Sequence, residues 1–391
     1  MSATNKAHGI DGELVEPDWQ RLTMAEVRAL LRQFPALGEP INIVSTSPRP
    51  FSAAGVVRTA KQSIFIKRHH RQVRDQEGLL EEHRFMAHLR AHGAPVPFVY
   101  ESARGETAIE MGDWSYEIHE APEGTDIYVD APSWTPFRSI AHAGSAGRAL
   151  ARLHLASQGF DAPRRAPRPL VASFTIFAAD DPKAEAGHYL LARPALADNA
   201  AVIHCINEVL QLLASFHAEL RLLLPALTPL WTHNDLHASN LLWSGHGDDA
   251  SATSIIDFGL ADRTCAVHDI AHAIERNIAE WLELGKDLNQ PEAVPVHLDH
   301  LDALLDGYES LRPLSDAEKA ALAPMTALCH AEFALSEADY FLGVLHSQEK
   351  ARMAYYGWLV KHARWFLGSE GARLLDVLRQ RSRTGERKAT S

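Results

Sequence analysis

The first third of the chain is dominated by short runs in which apolar and polar residues alternate, a period of two that predicts β-strands. Two helices with apolar residues three and four positions apart interrupt these runs. One covers residues 24–34 after a capping-box pair, Thr23 and Glu26, and the other covers residues 78–93 and ends at Gly93. The predicted strands cover residues 41–47, 55–60, 63–67, 94–102, 106–112 and 114–121.

From about residue 125 onward the apolar residues recur with helical spacing. This division predicts an α+β fold, with a small antiparallel sheet followed by a larger, mainly helical part. Glu332, Glu337 and Asp339 are expected on a solvated helix face, although they could also receive a cationic ligand. The predicted helices cover residues 144–157, 202–224, 268–282, 329–345 and 350–367.

Composition and charge exclude several classes of protein. The 391 residues are 46% apolar and 23% charged, which is typical of a soluble globular protein. The net charge of −12 leaves no basic excess for nucleic acid or for an anionic membrane surface. Three widely spaced cysteines, with no CxxC pair, predict neither disulfides nor a zinc knuckle. We therefore expect a cytoplasmic protein, either a monomer or a homodimer, with no nucleic-acid or membrane partner.

The segment with the clearest chemistry is WTHNDLHASNLL, residues 231–242. It contains Asp235 and, five residues later, Asn240. A turn-rich run then leads to Ile-Ile-Asp-Phe-Gly, which contains Asp257. The apolar runs on either side of this turn predict a hairpin, which places Asn240 beside Asp257 and leaves Asp235 in the preceding loop. The sequence thus predicts two oxygen ligands beside a separate carboxylate.

Such an arrangement suits phosphoryl transfer. Magnesium prefers hard oxygen ligands, which the amide of Asn240 and the carboxylate of Asp257 provide. The remaining acid, Asp235, can orient and deprotonate an incoming hydroxyl. An alternative is a metallohydrolase, since His233, Asp235 and His237 would share one face of a strand. The Asn-Asp and Ala-Ser-Asn sequences favour a loop over a strand at this position.

HNDLHASN followed by IIDFG resembles the aminoglycoside phosphotransferase/choline kinase family, the small-molecule relatives of protein kinases. That family has His-Gly-Asp-Leu-His-x-x-Asn here, and this chain has Asn234 in place of the glycine. The resemblance implies a bilobal protein-kinase-like fold in which Asp235 is the catalytic base and Asn240 and Asp257 bind Mg²⁺. It also implies ATP, or GTP, as donor and a small-molecule hydroxyl as acceptor. It places a bracing, structural aspartate at Asp269, whereas Asp262 receives no role.

Nucleotide contacts are expected in the first lobe. Lys67 ends an alternating run, as in a Val-Ala-Ile-Lys strand whose lysine reaches the phosphates. The family's spacing makes Glu82 the ion-pair partner of Lys67, with the adjacent Glu81 as the alternative. Ser47 lies in the predicted phosphate-covering turn, STSPRPFSAAG, which is not glycine-rich. The resemblance places the adenine-binding hinge at residues 118–121, with Ile118, Glu120 and Ala121 as contacts.

The expected organisation is a flexible leader over residues 1–18, a nucleotide-binding lobe over 19–120, a catalytic and acceptor-binding lobe over 121–379, and a disordered tail over 380–391. A proline-rich loop with Arg164, Arg165 and Arg168 is expected to be solvated, with a phosphate or an acidic substrate as the alternative. The predicted function is transfer of the γ-phosphate of ATP to a small metabolite or aminoglycoside-like acceptor. A nucleotide-binding pseudokinase acting as a scaffold is the alternative.

Overall fold

The computed structural model describes residues 7–8, 12–286 and 293–389. These residues form two units. The first comprises residues up to 132 together with 241–244 and 252–256, and the second comprises 133–240, 245–251 and everything from 257 onward. The first unit is built on a sheet and the second is mainly helical, which confirms the predicted α+β class.

A five-stranded antiparallel sheet with the order β3-β4-β5-β7-β6 forms the centre of the first unit. Its two faces differ, because alternate residues of β5 point to opposite sides. Ile64 and Ile66 are fully buried in an apolar core against α1, whose capping box at Thr23 and Glu26 is present as predicted. Lys67 lies on the other face, opposite Glu117 of β7. The elements of the first part of the chain are β1 (Ala7–His8), β2 (Leu14–Val15), α1 (Met24–Leu31), β3 (Pro40–Thr46), β4 (Ala53–Thr59), β5 (Ser63–His70), α2 (Gln76–Ala91), β6 (Ala108–Met111) and β7 (Trp114–Glu120).

Three short strand pairs and a set of packed helices make up the rest. Strand β8 pairs with β11 in antiparallel register, and β9 pairs with β10. The middle part of the chain contains α3 (Ile140–Ser157), α4 (Pro182–Leu191), α5 (Pro194–Ala197), α6 (Ala200–Leu212), α7 (Ala214–Arg221), β8 (Pro229–Thr232), β9 (Leu241–Ser244), β10 (Ser251–Ile255), β11 (Asp262–Cys265) and α8 (Ala266–Ile278). The last part contains α9 (Leu298–Glu309), α10 (Asp316–Leu328), α11 (His330–Asp339), α12 (Gln348–Arg352), α13 (His362–Trp365) and α14 (Ser369–Ala389), with π-helical turns at Tyr340–Val344 and Met353–Lys361.

Helices α3 and α9 pack backbone against backbone. A Cβ atom on Gly147 would overlap the carbonyl oxygen of Leu304, and one on Gly307 would overlap the carbonyl oxygen of Gly144. Only glycine fits at such distances, so these positions fix how closely the two helices approach.

The structure corrects several expectations. The single helix predicted over residues 202–224 is two helices, α6 and α7, bent by 60°. The strand predicted over residues 94–102 is reduced to one bridge, between Val99 and His119. The disordered tail expected over residues 380–391 stays a prediction; α14 is assigned as far as Ala389, and residues 390–391 lie outside the described part.

Among the described residues no single helix is long and apolar enough to cross a membrane. The bent pair α6 and α7 meets the length and composition criteria only when its two helices are counted together.

Candidate active site

The loop that carries Asp235 begins where β8 ends, at Thr232, and runs into a short 3₁₀ turn, Ala238–Asn240. Asp269, in the first turn of α8, holds this loop by accepting the amide hydrogens of His233 and Asn234, each at 2.8 Å. Its Oδ2 also lies 2.9 Å from Nε2 of the buried His154. Burial alone would raise the pKa of Asp269, but His154 and the amides hold it below its ordinary value. These contacts give Asp269 the bracing role that was expected for it.

The residue that departs from the family motif, Asn234, adopts a left-handed backbone conformation with φ of 61°. Glycine enters this region freely and asparagine is among the few other residues that tolerate it. The side chain adds contacts that glycine lacks. Its Oδ1 accepts from Thr232 Oγ1 at 2.7 Å, and its Nδ2 donates to the carbonyl of Leu260 at 3.1 Å. Asn234 therefore ties the loop to the segment that follows Asp257.

Asp235, Asn240 and Asp257 come together as predicted. The Nδ2 of Asn240 donates to the Asp235 carbonyl at 2.9 Å and to its Oδ2 at 3.2 Å. Asn240 directly precedes β9, and Asp257 follows the paired strand β10. The Asp257 carboxylate is close enough to raise the pKa of Asp235. Asn240 directs its amide nitrogen towards Asp235, and the groups considered as cation ligands are the amide oxygen of Asn240 and the carboxylate of Asp257. Two hard oxygens of this kind fit Mg²⁺.

Asp235 has an unusual electrostatic environment for an aspartate. Burial raises its pKa to about 6, although Arg276 and His233 lower it. The Arg276 Nη2 lies 3.1 Å from Oδ1, while 18% of the Asp235 side chain is exposed. A carboxyl group that titrates near neutrality suits a general base, because it is both largely ionised and basic enough to accept a proton.

Arg276 was not singled out in the sequence. It is buried, and its guanidinium carbon lies 3.9 Å from the ring centre of Trp134 and 4.0 Å from that of Phe333. These rings hold the guanidinium in place beside Asp235. The sequence spacing could have pointed to Arg276, because it lies seven residues after Asp269, which is two helical turns along the same face of α8.

A second group missed as a site residue is Glu337, which was expected to face solvent. It is buried together with Glu332 and Asp339, which corrects that expectation for all three acids. Burial raises the pKa of Glu337 to about 8, although Arg276 lowers it, and Asp235 raises it further. Glu337 is therefore largely neutral at pH 7 and lies within electrostatic range of Arg276 and Asp235.

Asn277, also unassigned in the sequence, fastens the same loop. Its Nδ2 donates to the carbonyl of Leu236 at 3.0 Å, and its Oδ1 accepts the amide hydrogen of Ala238 at 2.9 Å.

In the first unit, Lys67 belongs to a face with many charged groups. Lys67 lowers the pKa of the buried His69 and Glu82 raises it, so both lie near this histidine. Glu82 is buried and its Oε1 lies 2.8 Å from Nε of Arg74, a partner that the sequence analysis did not identify. Glu117 accepts from three histidines, His69, His83 and His119, at 3.0, 2.9 and 2.7 Å.

Several of the residues expected to contact the nucleotide already make hydrogen bonds within the first unit. The amide of Ser47 donates to Ala54 at 2.9 Å, and its Oγ accepts from the amide of Arg49. The carbonyl of Ile118 accepts from Tyr100, and the amide of Glu120 donates to Phe98, each at 2.8 Å. Ala121 follows the last residue of β7. The predicted adenine contacts at Ile118 and Glu120 therefore compete with hydrogen bonds already made.

The metallohydrolase alternative required His233, Asp235 and His237 on a strand. These residues lie in the loop after β8. The Nδ1 of His233 accepts from the Asp235 amide at 3.2 Å, and the Nε2 of His237 lies 3.8 Å from Asp235 Oδ2. The three do not form a ligand cluster among the described residues.

Comparisons with known proteins identify the family of this chain. A homoserine kinase of Xanthobacter autotrophicus is 34% identical over 182 residues, 46% of each chain, so the alignment spans about half the length of this relative. A microcompartment-associated aminopropanol kinase aligns with a TM-score of 0.56 and 17% identity, over 88% of this chain and 98% of its own. An amicoumacin kinase in complex with AMP-PNP and Ca²⁺ aligns with a TM-score of 0.53 and 14% identity, over 88% and 96%. The model of the phosphotransferase enzyme family matches residues 52–314, and the protein belongs to this family.

Proposed function

We propose that this protein is a small-molecule kinase that transfers the γ-phosphate of ATP, or of GTP, to a hydroxyl group of a small acceptor. The observation that carries the proposal is Asp235, a partly exposed carboxylate hydrogen-bonded by Asn240 and electrostatically coupled to Asp257. A positioned base beside a pair of cation ligands is the arrangement that phosphoryl transfer needs.

In the proposed mechanism, Asp235 accepts a hydrogen bond from the acceptor hydroxyl and takes its proton as the oxygen bonds to the γ-phosphorus. The bond from the γ-phosphorus to the bridging oxygen breaks at the same time, and the nucleoside diphosphate leaves. Arg276 keeps the carboxylate ionised. Asn277 donates to the loop carbonyl of Leu236 and Asp269 accepts from the loop amide of His233, and these hydrogen bonds hold the loop in one conformation. Asn240 and Asp257 would hold Mg²⁺, which neutralises charge on the phosphates. Lys67 binds the α- and β-phosphates.

The names of two relatives support a proposal for the class of acceptor. Homoserine and aminopropanol, in the names of two of them, both carry an amino group and a hydroxyl on a short chain. We propose an amino alcohol as the acceptor, with aminoglycosides as the larger members of the same chemical type.

The test is ADP release with Mg²⁺ and either ATP or GTP across a panel of amino alcohols, aminoglycosides and sugars. Asp235→Asn is assayed in parallel, and Asp180→Asn is the control, because it makes the same change at a side chain that is 92% exposed. Acceptor-dependent release that is lost only in Asp235→Asn supports the kinase. Nucleotide binding without turnover on any acceptor would favour the scaffold alternative.

A further inference from the structure

The second unit contains a cavity of about 320 Å³ whose lining includes none of the residues assigned to catalysis. It lies among the loop of residues 164–175, helix α4 with the residues that follow it, and helix α11. We call it the arginine cavity, because its polar lining includes Arg164, Arg165 and Arg193, together with Thr175, Tyr189 and Glu332. Its volume is that of a small-molecule site.

The positive side of the cavity is formed by Arg193, whose Nη1 donates to the carbonyl of Tyr189 at 3.2 Å, and by Arg164. Arg193 is buried, and its guanidinium is stacked on Tyr189 with 3.6 Å between its central carbon and the ring centre. Its Nε has no hydrogen-bond partner among the described residues, and the carboxylate of Asp339 lies 3.7 Å away. Arg164 is exposed at the cavity wall.

Arg165 differs from these two because it is already engaged. It was expected in a solvated loop but is 5% exposed, and its Nη1 donates to the carbonyl of Gly259 at 3.0 Å. The cavity wall is thereby hydrogen-bonded to the segment that follows Asp257.

The negative side of the cavity is Glu332, which is 2% exposed. Its Oε1 accepts from the amide of Ile176 at 2.6 Å and from Thr175. Its Oε2 has no partner among the described residues. A buried carboxylate oxygen without a hydrogen bond is costly, and a ligand that donates to it would remove this cost.

We propose that the arginine cavity binds a free α-amino acid in its zwitterionic form. The ligand carboxylate is recognised by Arg164 and Arg193, and the ammonium donates to Glu332 Oε2. A phosphate would satisfy the arginines but would be repelled by Glu332 and Asp339, and a simple amine would satisfy Glu332 but would be repelled by the arginines. The zwitterion meets both requirements, and opposite charges of this kind strengthen each hydrogen bond.

Helix geometry separates this cavity from the catalytic carboxylate. Glu337 faces Arg276 and Asp235, whereas Glu332, five residues earlier on α11, lines the arginine cavity. Five residues correspond to a rotation of about 140° around a helix with 3.6 residues per turn. The two glutamates therefore lie on different sides of α11, and the proposal does not depend on the catalytic assignment.

The test is isothermal titration calorimetry of the full chain, without nucleotide, against the proteinogenic L-amino acids. For the best ligand, its amide removes the carboxylate and its deaminated acid removes the ammonium, and both analogues are expected to bind at least about tenfold more weakly. Arg164→Ala and Glu332→Gln are expected to weaken binding to a similar extent. Arg168→Ala is the matched control in the same loop, because Arg168 does not line the cavity.

Asp235→Asn should bind the amino acid as the unchanged protein does. Loss of binding in Asp235→Asn with retention in Arg164→Ala would place the ligand at the catalytic site and overturn the proposal. Failure of every amino acid to bind would also overturn it, as would equal affinity for the best ligand and its amide. Because the experiment measures binding and not turnover, none of these results bears on whether the protein is a kinase.

Discussion

Replacing Arg276 by glutamine should move the acid limb of the pH–rate profile to higher pH. Asp235 must be ionised to accept a proton, and Arg276 lies 3.1 Å from it. Removing this positive charge favours the neutral carboxylic acid. The pKa of Asp235 should therefore rise above the value of about 6 that it has with Arg276 present.

The magnitude follows from the distance. Two unit charges about 4 Å apart interact by about 4 kcal/mol at an effective dielectric constant near 20. One pKa unit corresponds to about 1.36 kcal/mol, so an interaction of about 4 kcal/mol corresponds to a pKa shift of about 3 units. This value is the upper end of the shift of about 1–3 units that an adjacent opposite charge produces. A shift of two units would reduce activity at pH 7 by roughly tenfold, and raising the pH to 9 would restore it.

The assay is the pH dependence of kcat and kcat/KM at saturating Mg²⁺, from pH 5 to 9.5. Arg276→Lys is the comparison variant, because it keeps a positive charge near Asp235, and its limb should move less than the limb of Arg276→Gln. Circular dichroism and thermal unfolding establish that both variants fold, which matters because Arg276 packs against Trp134 and Phe333. An unmoved limb in a folded Arg276→Gln protein, or one moved to lower pH, would refute the reasoning.

Three further predictions concern other parts of the molecule. Asp257→Asn should raise the Mg²⁺ concentration for half-maximal activity at least about tenfold in a metal titration, and an unchanged requirement would remove Asp257 from the ligand set. Arg74→Ala removes the 2.8 Å ion pair between Arg74 and buried Glu82, so urea unfolding should show a loss of stability of about 1.5–3 kcal/mol, and unchanged stability would contradict this role for the pair. Gly147→Ala should destabilise the folded protein by about 1–3 kcal/mol. Gly187→Ala, where a Cβ meets nothing within 4 Å, should stabilise it by up to about 1 kcal/mol. Thermal unfolding that shows the reverse order of stability would contradict the packing argument.

The parts of the site that are local in sequence could be predicted from it. Asp235, Asn240 and Asp257 lie within a loop and a hairpin, so spacing and turn chemistry were enough to bring them together. The sheet was predicted for the same reason, because alternation in residues 63–67 is a local signal and β5 contains it.

The residues that sequence reasoning missed act through contacts distant in the chain. Arg276 reaches Asp235 across 41 positions, and its ring partners lie on other segments. Glu332 and Glu337 look like a solvated helix face in isolation, and only the packing of α11 against neighbouring elements buries them. The break between α6 and α7 also lacks a local signal, since neither proline nor glycine occurs between Ala200 and Arg221.

In the proposed function, Asp235 activates a hydroxyl acceptor for attack on the γ-phosphate. The most direct test incubates the protein with ATP carrying a labelled γ-phosphate, Mg²⁺ and the best amino alcohol, and quantifies the phosphorylated acceptor by mass spectrometry. We predict one labelled phosphate on the acceptor oxygen for each ADP formed, with the rate reduced at least about 100-fold in Asp235→Asn. Label found only in inorganic phosphate, or equal transfer by Asp235→Asn, would contradict the claim.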